Sequence, residues 1–163
     1  LWRHATEVQP LFHRWWWNYA GEIAAPDVRD VGSKEKRLAS IEAMEMANQI
    51  QPMAYVFNGI GKHYSEIGDW NNAFKAFKNA LKYHDANEEA RTKTHSFKNQ
   101  QERYQLECGA GKAALMSEKY NVADNHLQFC TKNYPKSTAA NCVRRSATSS
   151  PYRHAATLPK GTK

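Results

Sequence analysis

Between Ala54 and Asp85 the apolar residues fall on two successive helical stripes that mix small side chains with bulky ones. Phe57, Ile60, Gly61 and Tyr64 stand at i, i+3, i+4 and i+7, which is one face of a helix. Trp70, Ala73, Phe74, Phe77 and Leu81 make a second stripe. Gly61, Ala73 and Ala80 are small where two helix backbones must approach closely. Gly68 can take the left-handed conformation that ends a helix, and Asp69 is placed to cap the next one. The segment therefore predicts two short helices joined by a tight turn. Such a hairpin keeps apolar surface on its outer faces, so it must stack on something.

The order Phe57-x-x-Ile60-Gly61-x-x-Tyr64, Gly68-Asp69, Ala73-x-x-x-Phe77, Ala80-Leu81 resembles one unit of the tetratricopeptide repeat (TPR) family. Asp85 stands where that family usually has Pro. A shift of fifty residues carries Gly61 to Gly111, Trp70 to Tyr120, Ala73 to Ala123, Phe77 to Leu127, Ala80 to Cys130 and Asp85 to Pro135. Tyr64 to Ala114 and Phe57 to Glu107 are the mismatches. A standard unit has about 34 residues, so roughly sixteen are extra here. They fall around residues 86–103, a charged stretch without Pro or Gly, and predict a lengthened helix leading into Gly111.

Upstream, Leu38, Ile41, Ala43, Met44, Met46 and Ala47 lie between Lys34 and Ile50, followed by Pro52. This resembles the second helix of a unit with its closing Pro. Pro26 and Gly32 interrupt the region before it, where no first helix is evident. The resemblance covers about residues 34–136, two and a half units. It implies an all-α fold, a short right-handed α-solenoid of antiparallel helix pairs. The expected organisation is a Trp-rich segment at 1–33 acting as cap or partner contact, a repeat domain at 34–136, and a basic, extended tail at 137–163.

Strand signals are poor, with few Val and no period-2 runs. No apolar run approaches the ~18 residues of a membrane span. Cys108, Cys130 and Cys142 are an odd number without a CxxC pair. That pattern disfavours a disulfide scaffold and fits a reducing compartment, with Cys108 and Cys130 as packed small residues. The His residues show no metal spacing, and His63 and His84 are expected to be partly exposed.

Charge is unevenly spread. Residues 1–125 hold 16 Lys or Arg and 16 Asp or Glu, whereas 126–163 hold 7 basic residues and no acid. The whole net charge of +7 comes from that end. Arg144, Arg145, Arg153 and Lys160 are candidates for contact with RNA or an acidic protein surface; a solvated, uninvolved terminus is the alternative.

Leu11-Phe12-His13-Arg14-Trp15-Trp16-Trp17-Asn18-Tyr19 places five aromatics within eight residues. Three consecutive Trp on a helix span about 200° of its circumference. One small core face cannot bury all three. Trp15, Trp16 and Trp17 are therefore expected to divide between a cap and a contact with a partner. Processing of a targeting peptide would explain a start at Leu1 instead of Met, and so would trimming of the chain. With the basic charge, this favours the mitochondrion among intracellular compartments, with the cytosol as the alternative.

No nucleophile motif, phosphate loop or metal signature is present, and no cofactor or catalysis is expected. Gly59-Ile60-Gly61 and Gly109-Ala110-Gly111 follow no strand and read as sites of close helix packing. The resemblance implies that the inner face of each first helix lines a concave groove. That face would carry Tyr55, Asn58, Lys62, Ser65 and Glu66 in one unit, and Gln105, Cys108, Lys112, Leu115 and Met116 in the next. The Lys/Asn set with which chaperone-binding members grip a carboxylate is not reproduced. The expected function is a non-enzymatic protein–protein interaction scaffold, an accessory subunit of a larger complex. An RNA- or ribosome-associated protein using the tail, and a peptide-binding adaptor using Lys62 and Lys112, are the alternatives.

Overall fold

A computed structural model describes residues 1–25, 34–88 and 96–133, and the side chains of 86–88, 96–100, 131 and 133 fall outside that description. Pro26, Gly32, Pro135, Cys142 and the basic tail at 137–163 also lie outside the described residues. The described residues are all-helical, without strands. They form α1 (Trp2–Val8), α2 (His13–Ala24), α3 (Lys34–Ile50), α4 (Ala54–Glu66), α5 (Trp70–Glu88), α6 (Ser96–Met116) and α7 (Tyr120–Asn133).

Each helix packs against the next, most extensively within the pairs α2–α3, α4–α5 and α6–α7. Lys34–Ile50 therefore does have a helix packed before it. The Trp-rich segment supplies that helix, because α2 carries Ala20 and Trp16, Trp17, Tyr19 and Ile23 into one core with Ile41, Ala43, Met44 and Ala47 of α3. Ser40 Oγ seals the pair by donating to the Ala20 carbonyl at 2.9 Å. The half unit read from the sequence is a complete helix pair. The charged stretch ahead of Gly111 does lengthen α6, which begins at Ser96, whereas residues 86–88 continue α5.

The turns of the last two pairs share backbone hydrogen bonds at four equivalent positions. Asp69 N–H donates to Tyr64 O at 2.9 Å, and Lys119 N–H donates to Ala114 O at 2.9 Å. Ala73 N–H donates to Asp69 O, and Ala123 N–H to Lys119 O, both at 2.9 Å. Gly68 takes φ +80° as its composition suggests, and Glu118 takes the equivalent place with φ 61°. Asp69 caps α5 as expected, its Oδ1 accepting from the Asn72 N–H at 3.2 Å.

The two Gly-x-Gly pairs follow one packing rule. A Cβ on Gly59 would lie 3.0 Å from Met44 Sδ of α3, and one on Gly109 would lie 2.8 Å from Phe77 Cε1 of α5. The first glycine of each pair thus meets the preceding helix pair. Gly61 meets Phe77 and Gly111 meets Leu127, so the second glycine meets the helix's own partner. Without side chains at these points the helix backbones approach closely. The core runs through Ala73, Phe74, Phe77, Leu81, Leu106, Ala110 and Leu127.

Glu107, which breaks the aromatic pattern, is 8 % exposed. Its Oε2 lies 2.6 Å from His126 Nδ1, an ion pair when the imidazole is protonated. The contact ties α6 to α7 at the position where, in α4, Phe57 stacks on Tyr83 of α5. His63 and His84 are buried, contrary to the sequence reading. The larger correction concerns cysteine: Cys108 and Cys130 are joined in a disulfide, with Cα atoms 5.9 Å apart. The spacing of Cys108 and Cys130 gave no sign of this, because their proximity is made by antiparallel pairing of α6 with α7.

Candidate functional site

α4 and α6 each expose one stripe. On α4 it runs through Tyr55, Lys62 and Glu66, with Asn58 half-buried between them. On α6 it runs through Gln105, Lys112 and Met116. The other residues expected on this face go elsewhere. Cys108 points into the disulfide with α7, Leu115 packs on the core, and Ser65 Oγ donates to the Gly61 carbonyl at 2.8 Å.

Chemically the stripe is uneven. Glu66 is engaged already: its Oε2 lies 3.0 Å from Arg37 Nε and 3.1 Å from His63 Nδ1, which ties α4 to α3. Lys62 is exposed, while Lys112 Nζ lies 5.6 Å from the centre of the Trp70 ring. Asn58 Oδ1 is buried and accepts no hydrogen bond. Burial pushes the Tyr55 phenol above its usual range, and the Arg14 guanidinium pulls it the other way.

The three tryptophans point three ways, and each finds another part of this chain. Trp15 stacks on Trp2 of α1 at 5.3 Å and donates its indole N–H to Gln9 Oε1 at 3.1 Å. Trp16 donates to the Pro10 carbonyl at 2.8 Å and packs on the α3 core. Trp17 meets Tyr55 of α4 edge-on at 4.9 Å. All three are half-buried. The aromatic cluster is thus divided among α1, α3 and α4. More exposed apolar surface lies beside it, at Val8, Leu11 and Phe12, and Leu11 is 84 % exposed. Leu11-Phe12 directly after Pro10 was the sequence signal for this: two large apolar residues in a turn, with no helix face to bury them.

Arg144, Arg145, Arg153 and Lys160 lie outside the described residues. Among the described residues, no group of three or more His, Cys, Asp or Glu side chains could hold a metal ion. No helix there is long and apolar enough to cross a membrane. No protein-family model matches this chain, and no curated protein is significantly similar to it in sequence.

Proposed function

We propose that this chain is a non-enzymatic interaction scaffold whose helix pairs stack as a short TPR-like α-solenoid, and that it serves as an accessory subunit of a larger protein complex. The observation that carries the reading is the matched construction of the pairs α4–α5 and α6–α7, down to the hydrogen bonds of their turns. Repetition of one hairpin is how solenoids build extended surfaces, and such surfaces serve binding. Two surfaces are available. One is the stripe of Tyr55, Asn58, Lys62, Gln105 and Lys112, where Asn58 Oδ1 awaits a donor. The other is the α1 end, where Val8, Leu11 and Phe12 are exposed. The Trp residues act as the rigid support of that end. The Cys108–Cys130 bridge favours an oxidising compartment over the reducing one read from cysteine count.

The test is gentle affinity purification of the full chain from its source cells, repeated with two variants. Lys62→Glu with Lys112→Glu alters the stripe, and Leu11→Ser with Phe12→Ser alters the α1 end. A stoichiometric set of partner proteins that one variant loses supports the reading and identifies the face. Elution of the chain alone, or a partner set indifferent to all four substitutions, sinks it.

A further inference from the structure

The turn between α1 and α2 forms an apolar tip. Leu11 and Phe12 follow Pro10 there and are 84 % and 43 % exposed. The tip is held in place. The Phe12 N–H donates to Gln9 O at 3.2 Å, the Trp15 N–H donates to Phe12 O at 3.0 Å, and the Phe12 ring lies 5.0 Å from the Trp15 ring. A tip ordered in advance loses little freedom when it is covered.

Beside it lies an apolar hollow of about 460 Å³, lined by Trp2, Ala5 and Val8 of α1 and by Trp15 of α2. Trp15 joins the two features, because its ring meets Phe12 at the tip and stacks on Trp2 in the hollow. The indole N–H groups nearby are already engaged, that of Trp15 by Gln9 Oε1 and that of Trp16 by the Pro10 carbonyl. Thr6 Oγ1 donates to the Arg3 carbonyl at 2.7 Å, and Glu7 lies 3.4 Å from Arg3 Nε. An apolar partner can therefore cover this end without stranding these donors.

A knob beside a hole on one surface is self-complementary. A two-fold axis seats the tip of each copy in the hollow of the other, and both contacts form together. The charges permit this. A self-contact brings like faces together, so an end of one sign would repel itself. Here α1 and α2 carry Arg3 and Arg14 against Glu7 and Glu22. The same balance disfavours a lipid surface, which is held by apolar residues beside a face rich in Lys or Arg.

We propose that this chain forms a two-fold dimer through its α1 end, with Leu11 and Phe12 of each copy seated among Trp2, Val8 and Trp15 of the other. The dimer gives that end of the scaffold its occupant and rests on the scaffold reading, while the stripe of Lys62 and Lys112 is left to other subunits.

The experiment is sedimentation velocity of the full chain over about a hundredfold range of concentration. The mass should rise from one chain to two. Leu11→Ser removes the knob and should raise the dissociation constant about tenfold or more, since each dimer buries two such side chains. Val8→Gln alters the hollow without changing charge and should weaken the dimer as well. Both positions are exposed, so helix content and melting of the monomer should be unchanged. Mixing the two variants is the decisive step. The Leu11→Ser copy keeps a hollow and the Val8→Gln copy keeps a knob, so the mixture should hold more dimer than either variant alone. A single-chain mass throughout overturns the proposal, as does a dimer indifferent to both substitutions or a mixture no better than its components. So does a chain that stays single and binds phosphatidylcholine–phosphatidylserine vesicles through Leu11. A single chain that captures partner proteins would refute the dimer and keep the scaffold reading. A dimer that behaves as predicted but captures no other protein would refute the subunit reading alone.

Discussion

Gly61 faces the Phe77 ring so closely that a Cβ on it would lie 2.8 Å from Cε1. The same ring edge meets Gly109 of α6 at the same distance, so two helices close on one side chain. Phe77 is 4 % exposed and cannot yield into solvent. Gly61→Ala should therefore destabilise the fold. Its better helix propensity contributes about 1 kcal/mol, and overpacking costs about 1–3 kcal/mol. Gly21 is the control, since it lies in α2 with nothing within 4 Å of an added Cβ. Gly21→Ala should stabilise by up to about 1 kcal/mol. Urea unfolding of the two variants should shift the midpoint in opposite directions.

Glu118 repeats the place of Gly68 but pays for a left-handed backbone with φ 61°. A side chain there costs about 1–2 kcal/mol, partly offset by the chain entropy that glycine loses on folding. Glu118→Gly should raise stability by about 0.5–1 kcal/mol. Gly68→Ala should lower it by about 1 kcal/mol. Thermal melts would show the first as a rise of roughly 2–4 °C. A fall on Glu118→Gly would mean that the carboxylate does work at the turn beyond its backbone.

The repeat pattern was legible because it is local. Stripes at helical spacing, Gly68 at the turn and the two Gly-x-Gly pairs announce helices, a stop and close contacts. Pairing was less legible where it depends on distant residues. The Trp-rich segment reads as an appendage because Pro26 and Gly32 separate it from Lys34, yet Ala20 and Trp17 pack on α3 across that gap. Glu107 reads as a defect until His126, nineteen residues on, is placed beside it at 2.6 Å.

The Cys108–Cys130 bridge closes a loop with a sequence separation of 22. Loop-closure entropy assigns such a link about 3 kcal/mol of stabilisation. Non-reducing peptide mapping should recover the two cysteines in one linked fragment. Reductant, or Cys108→Ala with Cys130→Ala, should lower the unfolding free energy by about that amount. The loss should concentrate on amide exchange in α7, because the link is α7's covalent tie to the preceding helix. Equal protection of α7 with and without reductant would show that the Glu107–His126 pair and the Leu127 contact hold it alone.

Glu45 makes stability depend on pH with a definite sign. Burial first and the Glu42 carboxylate second raise its pKa in the folded protein above the ordinary carboxylate value. Below that ordinary value the folded and unfolded chains are both protonated at this site, and its contribution is fully present. As pH rises through the window up to the folded pKa, the folded chain holds a proton that the unfolded chain has released, so stability falls. Above the window the loss is complete. Glu45→Gln stays neutral throughout and escapes it. The variant should therefore be more stable than the parent at pH 7, and the advantage should shrink or vanish at pH 4. Glu42→Gln should act in the same direction more weakly, since it removes only the second cause. Urea titrations of parent and variants at both pH values would decide this, and an equal gap at the two would rule out ionisation of Glu45 as its source.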